Sequence, residues 1–208
     1  MTVTVKNNSG SDHLPKQEIG TEMNAVEKKV LNSEQEAIEF YEAVKQKLFN
    51  VSCWAEISKV PISTFKLTDP SGQEVNRAAK EGDYLKIDIP GPGTSTGEGY
   101  DWVVIEEIRE EKTENMDLTS MTVRPAANPE NGNKDVAHFL KDHATSTFQV
   151  RRIGLEVSAE EHGRNEVPNS DTDHTLDNIR NTIVGWSAKI GFSYPQWKSL
   201  VVGLIESR

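Results

Sequence analysis

Hydrophobic positions along this chain follow two rhythms, and the points where one gives way to the other mark out its elements. Ala37, Phe40, Tyr41, Val44 and Leu48 recur at steps of three and four, which predicts an amphipathic helix ending near Phe49–Asn50. Ser33, with Glu36 three residues on, forms a capping box in which each side chain satisfies an orphan amide. Ahead of it, Ala25–Leu31 reads as a strand with Val26 and Val30 on one face. Behind it, Ile62–Asp69 reads as a strand with Phe65 and Leu67 on one face, and "PSGQEV" as a turn. In "DYLKIDIP", Leu85, Ile87 and Ile89 point one way and Lys86 and Asp88 the other. "GYDWVVIEEI" is apolar on both faces, Trp102 and Val104 against Val103 and Ile105, as in a central strand covered on both sides. Met116–Pro125 is a weaker strand. "STFQVRRIGLEVSAEE" reads as a hairpin turning at Gly154, with one dry and one wet face; Phe148 and Val150 share a side, as do Leu155, Val157 and Ala159.

The helical rhythm returns in the tail. Thr172 or Asp173 can cap a helix in which Leu176, Ile179, Ile183, Trp186 and Ile190 form a stripe. Gly191 and Pro195 break it, and Trp197, Leu200, Val201, Leu204 and Ile205 form a second stripe, with Pro195 suited to a first turn where its missing N–H is harmless. Each buried Leu or Ile is worth roughly 1.5–3 kcal/mol, so this tail must dock against something. Between the two halves, Pro129 and Gly132 mark a loop, and Lys134–Asp142 is expected to form a short helix burying Val136, Phe139 and Leu140. Residues 1–22, polar and punctuated by Gly10, Pro15 and Gly20, read as a flexible arm, leaving 23–208 as a single domain.

Strand, helix, about six further strands and a long final helix is the order of a helix-grip fold: α+β, a curved seven-stranded antiparallel sheet wrapped around a C-terminal helix. Over roughly Asn24 to Arg208 the chain resembles the START-like superfamily, the group that holds the birch-pollen allergen, the polyketide cyclases/aromatases and many bacterial ligand-binding proteins. The likeness is carried by "VEKKVLNSEQEAIEFYEAV" leading to "VSCWAEISKV", by "EGDYLKIDIPGPG", and by "STFQVRRIGLEVSAEEHG" feeding the tail. A Trp commonly follows the first helix in that group, and Trp54 stands there. The resemblance implies a cavity between sheet and final helix. It carries no catalytic residues, because that group shares no catalytic motif. The long insert at Ala126–His143 and the broken tail helix at "IGFSYPQW" depart from the group's pattern and could reshape or plug the cavity.

Composition narrows the function. The 208 residues are 35% hydrophobic and 27% charged, with a formal net charge of −10, so the surface repels nucleic-acid backbones and anionic headgroups; no Lys/Arg run is dense enough to reverse that. No window approaches the length of a membrane span, and "MTVTVKNNSGSDHLPKQEIG" is not a secretory leader, which points to a cytoplasmic protein. The single Cys53 suits a reducing compartment and reads as a small hydrophobe beside Trp54 rather than a nucleophile. "IDIPGPGTSTGEGYDWVVIEE" has the glycines of a phosphate cradle but not its Lys; Glu98 follows Gly97 and a strand follows the loop, so it reads as a strand-to-strand loop, either a plain surface turn or, as the helix-grip resemblance implies, a lid at the cavity mouth. His138, Asp142 and His143 lack a metal-site spacing, and no metal or other cofactor is expected.

Three functions remain open at this level. The first is a module holding a small hydrophobic or amphipathic ligand, its pocket candidates being Trp54, Tyr84, Tyr100, Trp102, Met121, Phe148, Ile183 and Trp186. The second is a cyclase/aromatase-like enzyme, with Asp101, Glu106 or His162 as the acid or base. The third is an interaction protein with a filled core. A buried carboxyl or imidazole in the cavity wall would favour the enzyme.

Overall fold

A computed structural model describes residues 13–58, 63–89, 94–169 and 194–206. Its elements are β1 (Thr21–Val30), α1 (Glu34–Phe49), a single 3₁₀ turn (Val51–Cys53) running into α2 (Trp54–Ile57), β2 (Thr64–Thr68), β3 (Tyr84–Asp88), β4 (Asp101–Lys112), β5 (Met116–Pro125), β6 (Thr145–Ile153), β7 (Glu156–Glu166) and a terminal helix α3 over 194–206. The strands form one seven-stranded sheet in the order β1-β7-β6-β5-β4-β3-β2, every neighbouring pair antiparallel. This is the expected helix-grip sheet. The first tail stripe, Leu176 to Ile190 with its caps, lies outside the described residues.

Register fixes which side chains share a face. Leu85 stands opposite both Leu67 and Val103, Ile105 opposite Val123, and Met121 opposite Phe148. These residues make the inner face, on which α1, α2 and α3 pack. A bulge between Ile105 and Glu107 shifts the phase of β4, so that Ile108 stands opposite Met121 beyond it. Helix α1 is capped as its sequence predicts, with the Ser33 hydroxyl accepting from the Glu36 amide at 3.2 Å. The reciprocal bond goes one residue further back: Glu36 accepts from the Asn32 amide at 3.1 Å. Ala37, Tyr41, Val44 and Leu48 are its buried stripe. Within the inner face the Tyr41 hydroxyl and the Thr119 hydroxyl lie 2.6 Å apart in a hydrogen bond, and burial, with Asp117 adding to it, pushes the Tyr41 pKa up to about 12.

Helix α3 docks its second stripe, Leu200, Val201, Leu204 and Ile205, into the same core. The approach is close. A Cβ on Gly203 would stand 2.0 Å from the Ile57 carbonyl oxygen, so only glycine allows α3 to lie against the end of α2.

Four expectations need correcting. Strand β1 begins at Thr21, and the residues before it are tied down: Asn165 accepts from the Glu18 amide at 2.8 Å and its side-chain nitrogen donates to the Lys16 carbonyl at 2.9 Å. The arm expectation for 1–12 lies outside the described residues. Val26 and Val30 face away from the core, because pairing with β7 sets Ala25 opposite Glu161 and Glu27 opposite Ala159 on the inner face. No helix forms at Lys134–Asp142. The backbone there bonds to distant segments instead: Phe139 N–H to the Asp101 carboxylate at 2.9 Å, Ala137 N–H to Ala126 O at 2.9 Å and Lys141 N–H to Val167 O at 2.9 Å. Phe139 and Leu140 are buried as expected, but in a strap, where they pack with Ala144 and Ile89. Finally, the outer face of the β6–β7 hairpin is polar without being wet. Thr147, Gln149, Ser158, Glu160 and His162 are all buried.

Candidate functional site

Between the inner face, the strap and α3 lies a cavity of about 60 Å³. Its floor is β2 to β5, through Phe65, Leu85, Ile87, Val103 and Val123. Its roof is Trp197 and Gln196 of α3. The strap closes one side with His138, Phe139 and Leu140, the His138 and Phe139 rings stacked 4.5 Å apart. The far end is polar, formed by Thr145, Ser146 and Glu166.

An aromatic corner holds this hollow open. Trp54 lies tilted against Phe148 (ring centroids 4.9 Å apart) and meets Phe65 at 5.4 Å; Trp197 meets Phe65 at 5.7 Å and Phe148 at 5.2 Å. The Trp54 indole N–H donates to Leu48 O at 3.0 Å, which fixes that ring at the junction of α1 and α2. Rigid rings that pack on one another cannot collapse to fill the space beside them.

The polar end carries two carboxyls. Glu166 lines the cavity, and the Thr21 hydroxyl donates to it at 3.3 Å. Glu161, fully buried, stands on the inner face opposite Phe148, and neither of its oxygens completes a hydrogen bond among the described residues. Burial pushes the Glu161 carboxyl well above the usual carboxylate range, and the neighbouring charge of Glu166 adds to it; the Ser146 hydroxyl and Arg164 oppose the rise. Burial raises Glu166 as well, against the pull of Thr21 and Arg164.

The pocket candidates separate into three groups. Phe148 lines the cavity, and Trp54 and Met121 pack in the core beside it. Trp102 and Tyr84 occupy the outer face, in register with Lys86 and Val104; the Lys86 ammonium lies 5.0 Å from the Trp102 ring and 4.4 Å from that of Tyr100, which removes all three aromatics from the cavity. Ile183 and Trp186 lie outside the described residues. The lining residues Phe65, Val123 and Glu166 were not among the candidates. Strand phase could have found the first two, because Phe65 and Val123 share the inner face with Leu85.

The candidate acids and bases are placed elsewhere. Asp101 braces the strap through Phe139. Glu106 pairs with Arg124 at the surface, 2.9 Å away. His162 sits on the outer face, its ring nitrogens 2.9 Å from Glu160 and 2.7 Å from Asn24 Oδ1. Cys53 donates to Asn50 O, and burial pushes its thiol upward, the opposite of an activated nucleophile. In the glycine loop, a Cβ on Gly97 would meet the Tyr100 carbonyl at 2.0 Å, so that glycine closes a tight turn of the chain on itself.

No protein family matches this chain, and no curated protein matches it. Among solved structures it is similar to the hypothetical protein jhp0584 of Helicobacter pylori, at TM-score 0.49 and 11% identity over 88% of this chain and 86% of that one. It is similar to major latex-like protein 151 of Panax ginseng at TM-score 0.37 and 12% identity, over 84% and 99% of the two chains. The di-domain aromatase/cyclase BexL matches at TM-score 0.32 and 13% identity, over 90% of this chain and 51% of that one. At such identities no residue's role transfers. The strand order is that of the expected helix-grip fold.

Proposed function

We propose that this protein binds a compact, largely apolar small molecule between its sheet and α3. The observation that carries the reading is the cavity itself, walled by Phe65, Phe148, Trp197, Val103 and Val123, with a few polar groups among its lining. Its volume of about 60 Å³ is below the several hundred typical of drug-sized ligands. It suits a molecule of about four to six water-sized groups. The enzyme reading is weaker, since Asp101, Glu106 and His162 are all engaged away from the hollow.

Native mass spectrometry of freshly purified protein is expected to show a co-purifying small molecule. Val123→Phe places a ring in the hollow. It should abolish the thermal shift that n-butanol gives the wild type, while leaving the melting temperature equal or higher. A wild type that carries nothing and shifts with nothing, together with a Val123→Phe variant no different from it, would overturn the reading.

A further inference from the structure

We infer that the cavity's polar end is an anchor for a cation, so that its ligand is a small amphipathic amine. This rests on the ligand-binding reading above and adds the chemistry of the ligand's head. Glu161 is fully buried on the inner face, across the ladder from the cavity-lining Phe148, and with only the Ser146 hydroxyl beside it neither oxygen completes a hydrogen bond among the described residues. Glu166 lines the cavity at the same end, and the Ser146 hydroxyl of β6 stands beside the two carboxyls. A buried acceptor without a donor costs about 1–3 kcal/mol and invites a donor from outside.

The protein's own cations near this end are committed elsewhere. Arg164 donates to Met23 O at 3.1 Å, to Gly163 O at 2.7 Å and to Asn24 Oδ1 at 2.8 Å. Lys198 of α3 donates to Val26 O at 2.6 Å and pairs with Glu27 at 2.8 Å. The other groups beside the pair are Thr21 on β1 and Ser146 on β6; His138 of the strap lines the same cavity, its Nδ1 accepting from the Leu140 amide at 3.0 Å. An ammonium placed at this end brings donors and a compensating charge together. An anionic head would meet the Glu166 carboxyl, with Glu161 close to it, on a chain of net charge −10 that already repels it. Apolar walls with an acidic end therefore select an amine over a carboxylate, and over an alcohol of the same length.

Binding of the ammonium ionises a carboxyl that holds its proton in the empty cavity, so one proton is released. Amine affinity should then rise by up to about tenfold per pH unit while that carboxyl remains protonated in the free protein. Alcohol affinity should stay flat over the same range.

The test compares n-butylamine, n-butanol and butyrate on the full chain, by NMR shift perturbation and calorimetry from pH 5.5 to 8. The expected order is amine, then alcohol, with butyrate weakest, the amine leading the alcohol by about tenfold at pH 7.5. Glu161→Gln and Glu166→Gln should each erase most of that lead and its pH slope while alcohol binding changes less than twofold. Should either variant fail to fold, the other variant and the wild-type pH series still decide. Butanol binding as tightly as butylamine, or butyrate binding best, overturns the cation anchor and leaves the apolar pocket standing. If none of the three binds, both readings fall.

Discussion

Glu160 and Glu161 are adjacent on β7, both buried, and their circumstances are opposite. Glu160 faces outward, where its oxygens meet Arg151 at 3.2 Å, His162 at 2.9 Å and the Ser158 hydroxyl at 2.7 Å. Burial alone would raise its carboxyl, but His162, Ser158 and Arg151 outweigh that and hold it below the usual range. Glu161 faces inward, where the pull of the Ser146 hydroxyl and of Arg164 does not offset its burial, and is raised. One peptide unit reverses the side, because strand side chains alternate. On the outer face the Glu160 carboxyl is held in a bonded network that works as structure. The inner face bonds Tyr41 to Thr119 and Arg152 to Asp117 but gives the Glu161 carboxyl no such network, and that exception marks the site.

The largest effect should come from breaking the satisfied side. Glu160→Ala leaves the Arg151 guanidinium and the His162 ring without their shared partner, and should cost about 3 kcal/mol in urea unfolding. A loss under about 1 kcal/mol would mean that the outer network is solvated and the contrast empty.

The unsatisfied side should respond the other way. Glu161→Met replaces an unpartnered carboxyl by an apolar chain of similar length and should stabilise the ligand-free protein by about 1–2 kcal/mol. The two carboxyls should also differ in pH dependence. Glu161 holds its proton more tightly folded than unfolded, so stability falls as pH rises from about 4.3, the unfolded value, toward its raised folded value. Glu160 holds its proton less tightly when folded, so its contribution is present above about 4.3 and is lost as pH falls through its lowered folded value. Urea midpoints from pH 3 to 8 should lose the alkaline-side decline in Glu161→Gln and the acid-side decline in Glu160→Gln. An unchanged pair of slopes would place the titration elsewhere.

How much of this was legible in the sequence varies with the range of the forces involved. The α1 stripe, its capping box and the alternation in β2, β3 and the hairpin are local patterns, and each element formed where its pattern stood. Strand phase relative to the core is not local. Nothing in "NAVEKKV" says that Ala25 rather than Val26 turns inward; the β7 register decides it. Trp102 and Val103 were equally apolar until pairing with Lys86 and Leu85 assigned them to opposite faces. The strap reads as helical because Val136, Phe139 and Leu140 have helical spacing. Its backbone groups are claimed by Asp101, Ala126 and Val167, partners that a window of neighbouring residues does not contain. The carboxyl pair was the least visible, since a Glu beside a Glu in a polar run looks like solvated surface.

The smallest effect is expected where the inner face does satisfy a polar group. Tyr41 and Thr119 bond at 2.6 Å within the same core that leaves Glu161 alone. Tyr41→Phe removes one hydroxyl and strands the other, so it should cost about 1 kcal/mol, against the gain expected at Glu161→Met. The phenol offers a second readout. Its raised pKa of about 12 makes the wild type lose stability as pH climbs above about 10, the unfolded value, because the folded state resists ionisation there. Tyr41→Phe should remove that alkaline loss, and ultraviolet titration should show one tyrosine fewer ionising near pH 12. If the substitution instead stabilises the protein, polar groups on this face are tolerated rather than used, and an unpartnered Glu161 no longer singles out a site.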